Sequence, residues 1–324
     1  MWKYVSGAIA VGSIAYGLMR YFAGGVCHCT ARLDGLVVII TGANSGLGKA
    51  LAFELAKRGA ILVLACRDLD GALTVKTEIL SQLEYKAEIH VKHLDLNSFS
   101  SIIKFAKNID AEFEEVYALV NNAGVFYHPQ SLTQDGFDVT FQTNYLGPFL
   151  LTQQLTKVLK RADHARIINL CSDAHRNATA YDLTCLMTTQ TEFRSHFLAY
   201  SVSKLALLLF TREYAKRISN TNIVINAVDP GNVETNIYRH FPQLCNSWLY
   251  CLQWPIRKIV VKNPYQGIQS ILHMLLTSNH STGQYVQDCK PVVPSQYATN
   301  PKLTINFYDQ TQSLLENSFS ESDC

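Results

Sequence analysis

Val37-Val-Ile-Ile-Thr41-Gly-Ala-Asn-Ser-Gly-Leu-Gly48 is an apolar run that breaks into a glycine-rich turn, and a helical period over Leu47–Lys57 follows at once. An apolar, β-branched run bounded by glycines reads as a buried strand. Glycines let a backbone approach a pyrophosphate, whose charge then meets the positive end of the helix. The spacing is G-x-x-x-G-x-G rather than G-x-G-x-x-G. With a strand before and a helix after, Thr41, Gly42, Asn44, Ser45, Gly46, Leu47 and Gly48 form a candidate phosphate cradle. A glycine turn without a ligand is the alternative.

The same alternation continues along the chain. Further strands are expected at Ile61–Ala65, Glu88–His93, Tyr117–Asn121, Arg166–Cys171, Asn222–Val228 and Gln284–Val286. Helical periods lie near Gly71–Leu83, Phe99–Glu112, Gly136–Leu159, Ala199–Ile218 and Tyr265–Leu276. This is βαβ patterning, which predicts one doubly wound α/β domain over residues 33–293 with a seven-stranded parallel sheet. Residues 294–324 form a polar C-terminal tail with a weakly amphipathic piece near Leu303–Leu315 and no assigned chemistry.

Three strand ends carry the cofactor reading. The second strand ends in Leu64-Ala-Cys-Arg67, where NAD enzymes usually place a carboxylate for the adenosine ribose. Arg67 suits the additional 2′-phosphate of NADP(H). Asp68 would serve NAD if the turn were shifted by one residue. Lys49 is either a second phosphate contact or a solvated helix residue. Asp95 meets the adenine edge or caps a helix. In Asn121-Asn-Ala-Gly124, Ala123 and Gly124 leave room for the cofactor, and Asn121 can tie neighbouring strands.

Tyr200-Ser-Val-Ser-Lys204 places a phenol and an ammonium on one helix face. A free tyrosine, with a pKa of about 10, is a poor base at neutral pH. A neighbouring cation favours the phenolate and makes the group usable for proton transfer.

Composition narrows the class. The chain has 324 residues, 48% of them apolar, and a net charge of +2. That excludes a basic nucleic-acid footprint. Nine scattered cysteines read as reduced thiols, and no cluster has zinc spacing, so no metal is expected. Residues 1–26 read as an uncleaved membrane anchor, with an apolar run of about 15 residues that falls short of a full span. Trp2, Tyr4, Tyr21 and Phe22 bracket it, and Arg20 can snorkel. A cleaved signal peptide is the competing reading. Cys27 and Cys29 beside it are acylation candidates, unmodified thiols being the alternative. Flanking charge leans towards a cytosolic catalytic domain. The sequons at Asn177 and Asn279 would matter only in a secreted or lumenal protein.

From Leu36 to Val286 the chain resembles the short-chain dehydrogenase/reductase family. The resemblance rests on Thr41–Gly48, Asn121–Gly124, Ser172, Tyr200-x-x-x-Lys204 and Asp229-Pro-Gly231. It is similar to the membrane-anchored branch that holds retinol dehydrogenases and polyprenol-type oxidoreductases. The segments Ala65-Cys-Arg-Asp68, Asp135-Gly-Phe-Asp138 with Asn144-Tyr-Leu-Gly147, and Ser203-Lys-Leu-Ala206 carry that narrower match. The resemblance implies a Rossmann fold and a role for each matching residue. Tyr200 exchanges the proton, Lys204 holds the nicotinamide ribose, Ser172 hydrogen-bonds the substrate oxygen, and Asn144 joins a water relay. Pro230, Gly231, Val233 and Thr235 line the nicotinamide and phosphate end. The chain departs from the family at Cys171, often serine there, and at Tyr145 and Pro148, often histidines in the retinol branch.

Residues 236–262 are expected to form a substrate lid, rich in large apolar groups around Trp248 and Trp254 and followed by Arg257, Lys258 and Lys262. Such a rim suits contact with membrane lipid, helical packing on the core being the alternative. Asp173–Leu198 is expected as a second, mobile wall. His175, His196 and His240 are expected at the surface. The expected activity is NADP(H)-dependent interconversion of a hydrophobic alcohol and its aldehyde or ketone: a retinoid, polyprenol, steroid or fatty aldehyde. The expected place is the surface of the endoplasmic reticulum or a lipid droplet. A non-catalytic cofactor-binding scaffold on the same fold is the alternative, and a homodimer is left open.

Overall fold

The computed structural model describes residues 17–83, 87–187, 195–237, 260–278 and 281–320. Strand β1 (Val37–Thr41) is buried along its whole length. That follows from a sheet covered on both faces, where a strand needs no polar side. Val37 and Ile39 enter one apolar cluster. Val38 and Ile40 enter the other, on the opposite face. Beside β1 lie β2 (Ile61–Cys66) and β4 (Ala118–Asn121), both parallel to it. The remaining strands are β3 (Ile89–His93), β5 (Ala165–Leu170), β6 (Ile223–Asp229), β7 (Tyr285–Gln287) and β8 (Lys290–Pro291). Their order is β3-β2-β1-β4-β5-β6-β7-β8. The order of strand addition reverses between β1 and β4, which opens a crevice at the carboxyl ends, where doubly wound sheets bind ligands.

Among the described residues the sheet thus has eight strands rather than the expected seven. The eighth is two residues long, antiparallel to β7, and follows a two-residue turn at Asp288 and Cys289 with φ of 50° and 61°. A hairpin turn with both central φ values positive matches the twist of its strands. No periodicity announces a strand this short, and its Pro291 has no N–H to donate.

Helices α1 (Gly46–Lys57) and α2 (Leu69–Gln82) cover one face with α6 (Gln269–Leu276). Helices α3 (Phe99–Glu112), α4 (Gly147–Leu159) and α5 (His196–Arg217) cover the other. A π-helical turn, Gln142–Leu146, leads into α4. Pro148 stands in the first turn of α4, where its missing N–H costs nothing.

Residues after Pro294 pack on the α3–α5 face. Helix α7 (Pro301–Ser320) buries Phe307, Tyr308 and Leu315 in that cluster. The Tyr145 and Thr311 hydroxyls hydrogen-bond at 2.7 Å, and the Tyr145 and Phe307 rings stack at 5.4 Å. Tyr145 therefore serves the core rather than the substrate.

Among the described residues no helix is long and apolar enough to cross a membrane. The proposed anchor lies mostly outside the described residues, as does the proposed lid from residue 238 to 259. Phe307→Ala should cost about 3–5 kcal/mol in reversible denaturation. A loss below about 1 kcal/mol would show that α7 adds nothing to the core.

Candidate active site

The crevice is an open cleft of about 260 Å³. Thr41, Gly42, Asn44, Ser45, Gly46 and Leu47 line it from the first turn, with Arg67, Asp95, Ala123, Gly124 and Thr235 opposite and around them. Gly42 and Gly46 have φ of +66° and +55°, which glycine adopts without strain. A Cβ at Gly42 would stand 2.9 Å from the Ala123 Cα, and one at Gly46 would stand 3.1 Å from the Thr235 Cβ. A Cβ at Gly48 would strike the Gly42 carbonyl. These glycines hold β1, β4 and the Thr235 loop close together, with the N-terminus of α1 facing the gap.

Thr41 acts through the backbone. Its hydroxyl accepts the N–H groups of Asn122 and Ala123 at 3.0 and 2.9 Å. The Asn122 amide returns to the carbonyls of Thr41 and Gly42 at 2.7 and 3.1 Å. Asn122, overlooked in the sequence, locks two walls of the cleft to each other. Asn121 does not line the cleft. It donates to Asn169 and Thr152 at 2.7 and 3.1 Å and ties β4 to β5 and α4.

At the end of the cleft beside β2, expected to take the adenosine, Asp68 caps α2. It accepts from Gly71 N–H at 3.0 Å and from the Asn44 amide at 3.3 Å. Arg67 is exposed in the cleft and forms no hydrogen bond or ion pair among the described residues. Asp95 closes a turn by accepting from Asn97 N–H at 2.9 Å, and Ser98 is the cap of α3. Lys49 pairs with Glu78 at 2.5 Å on the helix surface. Asn97, His128, Thr143 and Asn236 line the cleft without having been expected.

The residues expected to transfer the proton lie beyond Gly124. Lys204 is buried on α5, donates to the Leu170 carbonyl at 2.8 Å, and stands 5.5 Å from the Tyr200 ring centre. Burial lowers its pKa to about 8, against the upward pull of Cys171 and Asp229. Asn144 sits in the π turn. Its amide donates to the Val125 carbonyl at 2.9 Å and the Ser203 hydroxyl at 3.0 Å, and its oxygen accepts from Val125 N–H at 2.9 Å. Ser203 in turn donates to the Tyr200 carbonyl at 2.7 Å. A Cβ on Gly124 would lie 3.2 Å from the Asn144 oxygen and 3.7 Å from the Lys204 Nζ. The Phe126 ring stands edge-on to Tyr200 at 4.9 Å.

Ser172 follows β5 and caps the short 3-10 turn Asp173–Asn177 by accepting from Ala174 N–H at 3.2 Å. A hydroxyl that accepts still has its own proton to donate. The expected mobile wall thus begins as helical structure, and Ala180–Met187 is a further helix. Residues 188–194 lie outside the described residues. His175 is fully buried rather than at the surface, packed on Tyr285 with ring centres 4.9 Å apart. His196 is half-buried against Tyr127, and His240 lies outside the described residues. The Cys171 thiol, where the family often has serine, is buried, and burial pushes its pKa up to about 12. Cys27, Cys29, Cys66, Cys171 and Cys289 are free thiols. Among the described residues no group of metal-ligating side chains is present.

Pro230 and Gly231 follow β6, and Gly231 has φ of +79°. Val233 is buried under Gly267, and Thr235 reaches the cleft opposite Gly46.

A family model described as short chain dehydrogenase matches residues 36–182 and 187–243. The chain belongs to the short-chain dehydrogenase family. It is an oxidoreductase acting on CH–OH groups, and the family's cofactor is NAD or NADP. Retinol dehydrogenase 12 of Mus musculus is 40% identical over 305 residues, covering 93% of each chain. Retinol dehydrogenase 13 of Homo sapiens is 35% identical over 320 residues, covering 97% of this chain and 96% of its own. An uncharacterised protein from Mycobacterium paratuberculosis superposes with a TM-score of 0.71 at 27% identity, covering 90% and 98%. The cradle, the open Arg67 and the narrow approach at Gly42 and Gly46 fit a nicotinamide dinucleotide.

Because the free-protein pKa of Lys204 is about 8, its positive charge fades as pH rises through that value. Reductive kcat/KM, which reports free-enzyme groups, should therefore fall on the alkaline side of about pH 8. A profile flat from about pH 7 to 10 would remove the lysine charge from the mechanism.

Proposed function

We propose that this chain is an NADP(H)-dependent oxidoreductase that interconverts a hydrophobic alcohol and its aldehyde or ketone at a membrane surface. One observation carries the cofactor choice. Asp68, the carboxylate that would hold an NAD ribose, is spent on the α2 cap and Asn44, while Arg67 stands open in the cleft. A guanidinium with no partner among the described residues matches a 2′-phosphate. Family membership, and 40% identity to Retinol dehydrogenase 12 of Mus musculus, support an apolar substrate such as a retinoid, polyprenol, steroid or fatty aldehyde.

The cofactor supplies or accepts the hydride when bound. Charge then develops on the substrate oxygen, and the chain answers it with two hydroxyls. Tyr200 passes a proton to that oxygen in reduction and takes it back in oxidation. Ser172 keeps its hydroxyl proton for the same oxygen while its lone pair holds Ala174. Lys204 stabilises the phenolate of Tyr200, and its own charge is steadied by the Leu170 carbonyl. Asn144, bonded to Val125 and Ser203, places its oxygen beside the lysine for a water relay. Phe126 shields the Tyr200 ring and offers an apolar wall to the substrate.

We place the protein at the endoplasmic reticulum or a lipid droplet, with the catalytic domain cytosolic and residues 1–26 as the anchor. Intact-mass analysis of the mature chain and glycan mapping at Asn177 and Asn279 test this. A trimmed N-terminus or an occupied sequon would overturn the topology.

An NADPH-consumption screen over retinoids, polyprenals, steroids and fatty aldehydes tests the activity. Tyr200→Phe should lower turnover by roughly 10²–10⁴-fold while NADPH still binds. Full activity in that variant would end the assignment of Tyr200. Loss of the Arg67 contact in Arg67→Asp should weaken NADPH binding by roughly 10–100-fold and favour NADH. Unchanged NADPH affinity would refute the reading of β2. Cofactor binding without turnover of any substrate would instead mark a scaffold.

A further inference from the structure

Asp229 ends β6 with its side chain buried. One carboxylate oxygen accepts the Gly231 N–H at 2.8 Å. The other accepts the Asp173 N–H at 2.8 Å and the Tyr285 hydroxyl at 2.9 Å. Gly231 belongs to the loop expected at the nicotinamide end, and Asp173 directly follows Ser172. His175 completes the hold on the serine side. Ser295 N–H donates to its Nε2 at 3.1 Å, so its Nδ1 carries the proton and donates to the Ser172 carbonyl at 2.8 Å. Both ends of the Ser172–Asp173 peptide are therefore fixed, the carbonyl by His175 and the N–H by Asp229.

We infer that Asp229 is a positioning residue that sets the distance between the substrate-side hydroxyl of Ser172 and the nicotinamide loop. A carboxylate suits this place because three donors converge on it and each needs a lone pair. An asparagine has one accepting oxygen, and whichever way it turns its NH₂ would face a backbone N–H, of Gly231 or of Asp173, that also donates. Burial pushes the Asp229 carboxyl above its usual range, and the Gly231, Tyr285 and Asp173 donors pull it back. Nothing about Arg67 enters this inference, so it does not depend on the choice between NAD and NADP. It does rest on Ser172 meeting the substrate oxygen.

The test compares Asp229→Asn with the unaltered full chain, using whichever of NADPH and NADH the latter binds more tightly, and the matching adenosine fragment that lacks the nicotinamide half. Dinucleotide affinity should fall by at least about tenfold, the scale of a lost hydrogen bond to a charged group, while fragment affinity holds. At saturating cofactor kcat should fall as well. Equal weakening of fragment and dinucleotide, or unchanged affinity and kcat, would overturn the inference. Ser172→Ala serves as the separate control on the serine's role, since its failure to slow turnover leaves the cofactor arm intact. Amide-resolved hydrogen exchange on the unaltered protein needs no folded variant. The Asp173 and Gly231 amides should both exchange slowly, and exchange of both at open-loop rates would also overturn the inference.

Discussion

Lys204 is a charged amine buried in the protein, and its charge is the constraint around which the site is arranged. Among the described residues no carboxylate bonds it directly; the Leu170 carbonyl does. Burying an ammonium costs free energy unless partners replace water. Here burial outweighs the upward pull of Cys171 and Asp229, so its pKa falls to about 8. The Tyr200 ring centre lies 5.5 Å from this amine. The geometry thus couples Lys204 to Tyr200, one turn earlier on the same helix.

That coupling needs the helix to be held firmly, and Asn144 contributes to the hold. An ordinary α-helix would carry residue 144 past the site, whereas the π turn over Gln142–Leu146 inserts extra backbone and turns the side chain inward. Its amide group then spans Val125 on one side and Ser203 on the other, so the β4 loop and α5 cannot move independently. Thr41 and Asn122 do the same for β1 and β4 with backbone bonds alone. The cleft and the Tyr200–Lys204 pair are therefore braced through one shared segment, Asn121–Val125.

Much of this was legible in the chain because local pattern and tertiary role agree. Val37–Thr41 is apolar throughout because both faces of β1 are covered, and Phe99–Glu112 shows its helix in its spacing alone. The placement of Arg67 at the end of β2 and of Tyr200 and Lys204 one turn apart on α5 was readable because it depends on near neighbours in sequence. The eighth strand was not readable, since two residues carry no period. His175 looked like a surface histidine because nothing local shows that Ser295, 120 residues away, supplies its partner. Asp229 was visible as part of a motif, but its three donors come from three separate segments. The π turn was hidden for a different reason: its residues have the same apolar spacing as the helices on either side.

The edge of the fold beyond Gly231 shows how the remaining segments relate. Residues 232–234 pair with Lys262, through a Val233–Lys262 bridge and the Glu234 N–H to the Lys262 carbonyl at 2.9 Å. The two ends of the 238–259 segment are thus tied at their base. Lys262 also pairs with Asp288 at 2.6 Å, in the β7–β8 turn. Gly24 and Gly25 cross directly over Asp288, so closely that a Cβ on either would collide with it. From there the chain is strapped down by Cys27 N–H to Gln269 at 3.0 Å and by the Cys29 thiol to the Leu276 carbonyl at 3.0 Å. The chain before Gly24 therefore reaches the domain at the base of the 238–259 segment.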